Sequence, residues 1–338
     1  MTVPHPDDTE ICSVDAMIGI VVLNWNGWRD TIEAVGSTRA LTYRNYRIYV
    51  VDNASTDGSE EQLRAWDPGL TVIQSGGNLG WSGGNNVGIR AALQDGCDHV
   101  LLLNNDATIR PDALTIMADA LDKLPDAGAL GALIVSSRDV DWIEYGGCDI
   151  DPRTGMPRQL YGDTANLRLP DMPVPAVVVK GCAMLLTAAG LARVGLLTED
   201  YFLNFDEVDW CYRANAAGLR HYLVPRSVVE HKGAASFEGT EGPLYCYFIT
   251  RNRLVFARRH LDRRGRWFAW RSALWEFRRA FGGAGAKPMR TASGRVSRIR
   301  LPMALTVLIA VWDYCRGRLG DCPGMIRTMN RRFRYIGV

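Results

Sequence analysis

Four short apolar runs, each followed by polar residues and a stretch of helical length, constrain the fold of this chain more than any other feature. Residues 18–23 (IGIVVL) form a continuous, largely β-branched run of the kind a strand takes when both its faces are covered. Residues 46–51, 71–73 and 99–103 repeat the pattern, with helices expected at about 28–41, up to 66, at 85–93 and at 111–124. Strand and helix in alternation imply an α/β fold, Rossmann-like, with a mostly parallel sheet flanked by helices on both faces. Beyond residue 129 the pattern becomes irregular, with apolar runs at 174–179 and 183–186, a helix at about 208–217 and a strand at about 221–224. Residues 245–281 are strongly helical and rich in Arg and Trp, residues 282–297 have loop composition, and a last helical stretch opens near 299. Three regions follow: a loose polar leader over 1–15, a main domain over 16–245, and a C-terminal helical, basic region over 246–338.

The net charge of +2 conceals an asymmetry, because 21 Lys and Arg stand against 4 Asp and Glu from residue 251 onward. A basic region on an acidic body points to an anionic partner. No RRM, KH or zinc-knuckle pattern accompanies the charge, so a membrane surface is expected rather than nucleic acid. The eight cysteines are scattered, with no CxxC pair and no secretory signal ahead of them, which fits free thiols in a reducing cytoplasm. The longest apolar run, residues 301–312, is shorter than the roughly 20 residues of a spanning helix, so attachment at the inner face of the cell membrane would be peripheral.

In open α/β sheets ligands bind past the carboxyl ends of the strands, and several polar residues stand there. Asp52 directly follows the second strand, where a carboxylate can accept an N–H from a uracil- or thymine-like base. Ser55, Thr56 and Asp57, by contrast, suit a turn and helix cap. Residues 76–86 (GGNLGWSGGNN) form a glycine-rich turn into a helix, where backbone could approach a diphosphate or ribose, although the spacing matches neither a Walker loop nor GxGxxG. Asn104, Asn105 and Asp106 end the fourth strand, and Asp106 offers an oxygen ligand for a hard cation whose other ligands come from phosphates. Residues 206–209 (DEVD) pack three carboxylates before a helix. Their repulsion suggests one raised pKa and hence a general base, Asp206 or Glu207, whereas Asp209 suits a dipole-complementing structural role. His231 lies just past another apolar strand, as a ligand or as a structural histidine.

Taken together, these residues resemble the family 2 glycosyltransferases of the GT-A fold, in particular their rhamnosyltransferase-like branch, from about Ile18 to Gly233 and more weakly to about Leu261. The resemblance places Asn24 and Asn26 in the loop around the base, Asp52 in the VDN-S-DGS segment, and Asn78, Trp81 and Asn85 in a donor-binding segment. It sets Asn104-Asn105-Asp106 at the metal-binding DxD position, with the first acid lost to Asn104, and His231 at the late metal-binding histidine. Gly181, Cys182 and Trp210 fall on the acceptor side, and Arg251 in a segment that could contact donor phosphate. The family's Glu-Asp pair is reversed here to Asp206-Glu207, so Glu207 takes the base position and Asp206 remains its rival.

The activity implied is an inverting, metal-dependent transfer of a sugar, rhamnose by resemblance, from a dTDP- or UDP-sugar to a saccharide or lipid-linked acceptor in surface-polysaccharide assembly, with Mn²⁺ or Mg²⁺ as cofactor. Trp267, Trp270 and Trp275 among arginines fit a helix lying on an anionic membrane. Two other functions remain. A nucleotidyltransferase normally opens with a basic, Gly-rich loop after its first strand, where this chain has Asn24-Trp25-Asn26-Gly27, and a non-catalytic nucleotide-sugar-binding module would not need the Asp206-Glu207 pair.

Overall fold

The computed structural model describes residues 16–151, 157–161, 169–233, 242–280, 289–290, 296–297 and 301–332. The expected leader over 1–15 lies outside them, as does most of the expected loop over 282–297, within which Met289–Arg290 pairs antiparallel with Val296–Ser297.

The N-terminal half is β1 (Ile18–Asn24), α1 (Trp28–Thr38), β2 (Tyr46–Asp52), α2 (Ser59–Trp66), β3 (Thr71–Gln74), α3 (Gly80–Gln94) and β4 (His99–Asn104). Its strands lie in the order β3-β2-β1-β4, all parallel, so β1 is covered on both edges and its apolar run is buried. The chain steps outward from β1 to β3 and returns through α3 to the far side of β1. With right-handed crossovers this puts α3 on the face opposite α1 and α2, and opens a crevice between the carboxyl ends of β1 and β4. Register aligns those ends: Asn24 pairs with Asp52, and Leu23 with Asn104.

The second half contains β5 (Ala107–Ile109), α4 (Ala113–Leu121), β6 (Ala127–Ser136), β7 (Ile143–Ile150), β8 (Pro157–Tyr161), β9 (Val174–Ala176), β10 (Ala183–Leu186), α5 (Ala188–Val194), α6 (Asp206–Ala216) and β11 (Arg220–His231). It extends the sheet with mixed pairing. β10 lies antiparallel between β4 and β6, β11 runs parallel to β6, and β5 and β9 pair antiparallel with β11. The parallel sheet read from the sequence is therefore the N-terminal half, and the antiparallel strands were not legible. β11 is three times the expected length because it continues past Pro225 through a register shift between Val224 and Val228.

The glycine-rich segment also differs from its reading. Residues 80–86 are the first turns of α3, not a loop, and the glycines serve helix–sheet contact. A Cβ at Gly84 would stand 2.4 Å from Leu23 Cδ1, and one at Gly88 2.3 Å from Val21 Cγ1, so only glycine lets α3 lie this close to β1.

The C-terminal helices are α7 (Pro243–His260), α8 (Arg263–Arg279), α9 (Leu301–Cys315) and α10 (Gly324–Arg332). The boundary expected at 245 falls inside α7, whose Val255 and Phe256 join the main core. Leu244, Tyr247 and Phe248 of the same helix build a second core with Phe202, Ala310 and Ile326, which docks α9 and α10 onto the main domain. Among the described residues all seven cysteines are free, and no helix is long and apolar enough to cross a membrane.

Candidate active site

A cavity of about 540 Å³ opens at the crevice between β1 and β4. Trp25, Asn26, Gly27 and Asp30 line it from the end of β1 and the start of α1; Asn78, Gly80 and Trp81 from the start of α3; and Asn104, Asn105 and Asp106 from the end of β4. Of the residues expected at the donor, the cavity thus gathers Asn26, Asn78, Trp81, Asn105 and Asp106.

Others of that set act one step back from it. Asn24 is fully buried; its Nδ2 donates to Asp52 Oδ1 at 2.8 Å and Ser55 Oγ at 3.0 Å, while its Oδ1 accepts from Thr31 Oγ1 at 2.8 Å. No polar atom of that amide is left for a base. Asp52 also accepts from Ser55 Oγ and, at 2.8 Å, from Gln74 Nε2, so its buried carboxylate organises the loop ends and keeps about one of its four acceptor positions open. Asn26, held at φ 53°, accepts from the Thr56 backbone N–H at 2.7 Å, which fixes the rim of the cavity. Asn85 is buried within α3 and donates back to Trp81 O at 2.8 Å, so it supports Trp81 without reaching the cavity. Trp81 in turn donates from Nε1 to Asn104 Oδ1 at 3.1 Å. Gly181 leaves room for this indole, since a Cβ there would lie 2.6 Å from the Trp81 ring.

His231 does not line the cavity, but the antiparallel register of β5 on β11 sets it opposite Ala107, next to Asp106, which does. His231 Nε2 lies 3.2 Å from Asp106 Oδ1, and its Nδ1 2.7 Å from Glu144 Oε2. Burial works against the imidazolium, but hydrogen bonds to Asp106 and Cys182 outweigh it and push the ring up to about 12. These residues fit a hard divalent cation. Two ligands at right angles, each about 2.1 Å from such an ion, stand about 3 Å apart. Glu144 would fix the ring orientation of a metal-bound His231, and sequence reasoning missed it, since β7 carries no motif. Among the described residues no cluster of three or more metal-ligating side chains occurs, so remaining ligands would be donor oxygens and water.

The acid cluster opens α6, where carboxylates complement the helix dipole. Asp206 is 1% exposed and neither oxygen has a hydrogen-bond partner; burial, then the neighbouring Glu207 charge, raises its carboxyl to about 7. Glu207 reaches the surface at 11% side-chain exposure and accepts from Lys180 Nζ at 3.0 Å, and its charge raises the lysine's pKa. Asp209 is structural. Burial alone would raise it, but hydrogen bonds from His260 and Thr198 and the Arg213 guanidinium hold it well below the usual carboxylate range.

Trp210 is corrected from acceptor contact to core: it is fully buried, and its Nε1 donates to Gly195 O at 2.8 Å. Cys182, also buried, meets His231 rather than an acceptor. Arg251 is corrected as well. Buried in α7, its guanidinium donates to Tyr201 O at 3.0 Å and Gly320 O at 2.7 Å and does not line the cavity. Its neighbour Asn252, not singled out from sequence, donates to Tyr201 O, Leu203 O and Asn204 O at 2.7 to 3.0 Å. This pair braces the turn before α6, where Phe202, Asn204 and Phe205 all hold positive φ, at roughly 1–3 kcal/mol each. The same turn lines the cavity through Phe202 and Leu203, so α7 fixes donor pocket and acid cluster together.

Comparison with known proteins agrees with this geometry. The model of glycosyl transferase family 2 matches residues 19–186. The N-acetylglucosaminyl-diphospho-decaprenol L-rhamnosyltransferase of Mycobacterium tuberculosis is 27% identical over 291 residues, 80% of this chain and 92% of that protein. The dTDP-rhamnosyl transferase RfbF of Shigella flexneri is 22% identical over 227 residues, 65% of this chain and 73% of that one. Among solved structures, GalNAc-T7 with UDP, GalNAc and Mn²⁺ superposes with a TM-score of 0.52 at 14% identity, over 75% of this chain and 51% of that chain, which establishes the shared fold.

Proposed function

Because the chain belongs to glycosyl transferase family 2, in its rhamnosyltransferase-like branch, we propose that it moves a sugar, rhamnose, from a dTDP- or UDP-linked donor to a saccharide or lipid-linked acceptor in surface-polysaccharide assembly, with inversion. The observation that carries this reading is the Asp106–His231–Glu144 arrangement, whose Asp106 lines a cavity formed by strand ends. A divalent cation held by Asp106 and His231, Mn²⁺ or Mg²⁺, would supply Lewis-acid stabilisation of the departing diphosphate. Asn26, Asn78 and Trp81 line the donor's seat, and Asp52 keeps their loop ends in place. Glu207 takes the acceptor hydroxyl proton as its oxygen attacks the anomeric carbon and the nucleoside diphosphate leaves. The test is a panel of nucleotide sugars with Mn²⁺ or Mg²⁺, scored by mass spectrometry for donor cleavage. Cleavage of a dTDP- or UDP-sugar that stops on adding EDTA is expected, and cleavage indifferent to EDTA would refute the metal-dependent reading.

The C-terminal helices support a lipid-linked acceptor. Trp267, Trp270, Leu274 and Trp275 of α8 and Leu301, Leu305, Leu308 and Trp312 of α9 are all exposed at helical spacing, those of α8 among arginines. This fits peripheral binding to an anionic membrane carrying a lipid-linked acceptor. Flotation with anionic liposomes is expected to recover the full chain and to lose most of a Trp267→Ala, Trp275→Ala, Trp312→Ala triple variant; equal recovery of both would contradict it.

A further inference from the structure

The basic C-terminal region also reaches the cavity. Arg327, Asn330 and Arg331 of α10 line it together with the β1 and β4 strand ends, although they lie more than a hundred residues beyond the segment that the family model matches. α10 is anchored there. Ile326 is buried in the core shared with Phe202 and Leu244, and Asn330 Oδ1 accepts from the Leu244 backbone N–H at 3.1 Å. Gly242 lets the Asn330 amide come close, since a Cβ on it would lie 2.5 Å from Asn330 Oδ1. Arg327 is held by Asp321 at 2.7 Å and lies over the Phe202 ring at 5.8 Å.

The charges facing the cavity are unequally neutralised. Asp30 is paired with Lys232 at 2.6 Å and Asp106 with His231, whereas Arg331, exposed and one helical turn beyond Arg327, has no ion-pair partner among the described residues. A guanidinium presents a planar fork matched to phosphate oxygens, and two of them four residues apart on one helix face can serve neighbouring phosphates.

We propose that Arg331, with Arg327, binds the diphosphate of the nucleotide donor, so that α10 is part of the donor site and not only of the basic surface. This rests on the donor reading above. It makes the helix a cover for the cavity, fastened through Asn330 to α7, and ties donor affinity to α10.

Calorimetric titration of the full chain with dTDP and UDP, and with thymidine and uridine, in the presence of Mn²⁺, tests it without recourse to turnover. Arg331→Ala is expected to weaken the nucleoside diphosphate about tenfold and leave the free nucleoside unchanged, with a shallower salt dependence and an unaltered Tm because the side chain is exposed. Arg331→Lys should recover part of the loss, and Arg327→Ala combined with Arg331→Ala should lose about a hundredfold. If the wild type binds a nucleoside diphosphate and Arg331→Ala binds it equally well, or if the variant loses nucleoside and nucleoside diphosphate alike, the assignment is wrong. If the wild type binds neither diphosphate, the donor reading itself falls and takes the assignment with it.

Discussion

Replacing Glu207 by glutamine is expected to lower kcat about a thousandfold while nucleoside diphosphate binding survives. A base must first reach the hydroxyl it deprotonates and then be ionised at the working pH. Of the two acids Glu207 is the less enclosed, and Lys180 Nζ donates to it at 3.0 Å. Asp206 carries the raised pKa expected of a base, about 7, but at 1% exposure it is enclosed and fails the first condition. Asp206→Asn is therefore expected to keep turnover within about tenfold.

The same variant should be more stable than the wild type, and the sign can be worked out. Burial and Glu207 raise the Asp206 carboxyl from 3.8 to about 7, so between those values the folded state holds a proton that the unfolded chain releases. Stability falls as pH rises through that window and stays low above 7, where an ionised, unpartnered carboxylate is buried. An amide does not ionise, so the stability advantage of Asp206→Asn, read by denaturant unfolding, should be small at pH 4 and grow toward pH 8, reaching on the order of a few kcal/mol. If Asp206→Asn abolishes transfer and Glu207→Gln does not, the base is Asp206.

What could be read from the sequence follows from how each part is held. β1, β4 and the second half of β2 announce themselves as apolar runs because they are covered on both faces, and residues past their ends line the cavity. β6 carries no such signal: its first half is Ala and Gly, and it is buried by what packs on it. β11 was cut short at Pro225, a residue that argues against a continuing strand, and with it went the pairing that sets His231 beside Asp106. The glycines of α3 looked like a ligand loop because glycine disfavours helix, yet contact with Val21 and Leu23 overrides that preference. Within the site, local residues such as Asn105 and Asp106 were legible. Those delivered from afar were not: Glu144 comes in on β7, Asn252 is one amide within a buried helix, and Arg331 is one arginine in a basic tail. Arg251 misled because arginine so often binds phosphate, whereas here it ties two backbone segments together.

The floor of the cavity gives the other large effect. Asp106→Asn is expected to cost about a hundredfold or more in kcat, because it removes the carboxylate among the two protein ligands and Lewis-acid stabilisation is worth several kcal/mol. Glu144→Gln should act only through His231, weakening metal affinity by about ten- to a hundredfold. The metal-free protein adds a signature that separates ligation from a merely structural contact. With its pKa pushed up to about 12, His231 is protonated between Asp106 and Glu144 at neutral pH, and the stability these contacts add is complete below 6.5 and declines as the pH rises from there to about 12. A metal ligand must be neutral, so binding Mn²⁺ has to displace the ring proton. Calorimetry in buffers of different ionisation enthalpy should therefore find about one proton released per Mn²⁺ bound, and affinity rising about tenfold per pH unit between pH 6 and 8. His231→Ala should bind Mn²⁺ more weakly and release none. Binding by the wild type with no proton release and no pH dependence would remove His231 from the metal site and leave it as a link between Asp106 and Glu144.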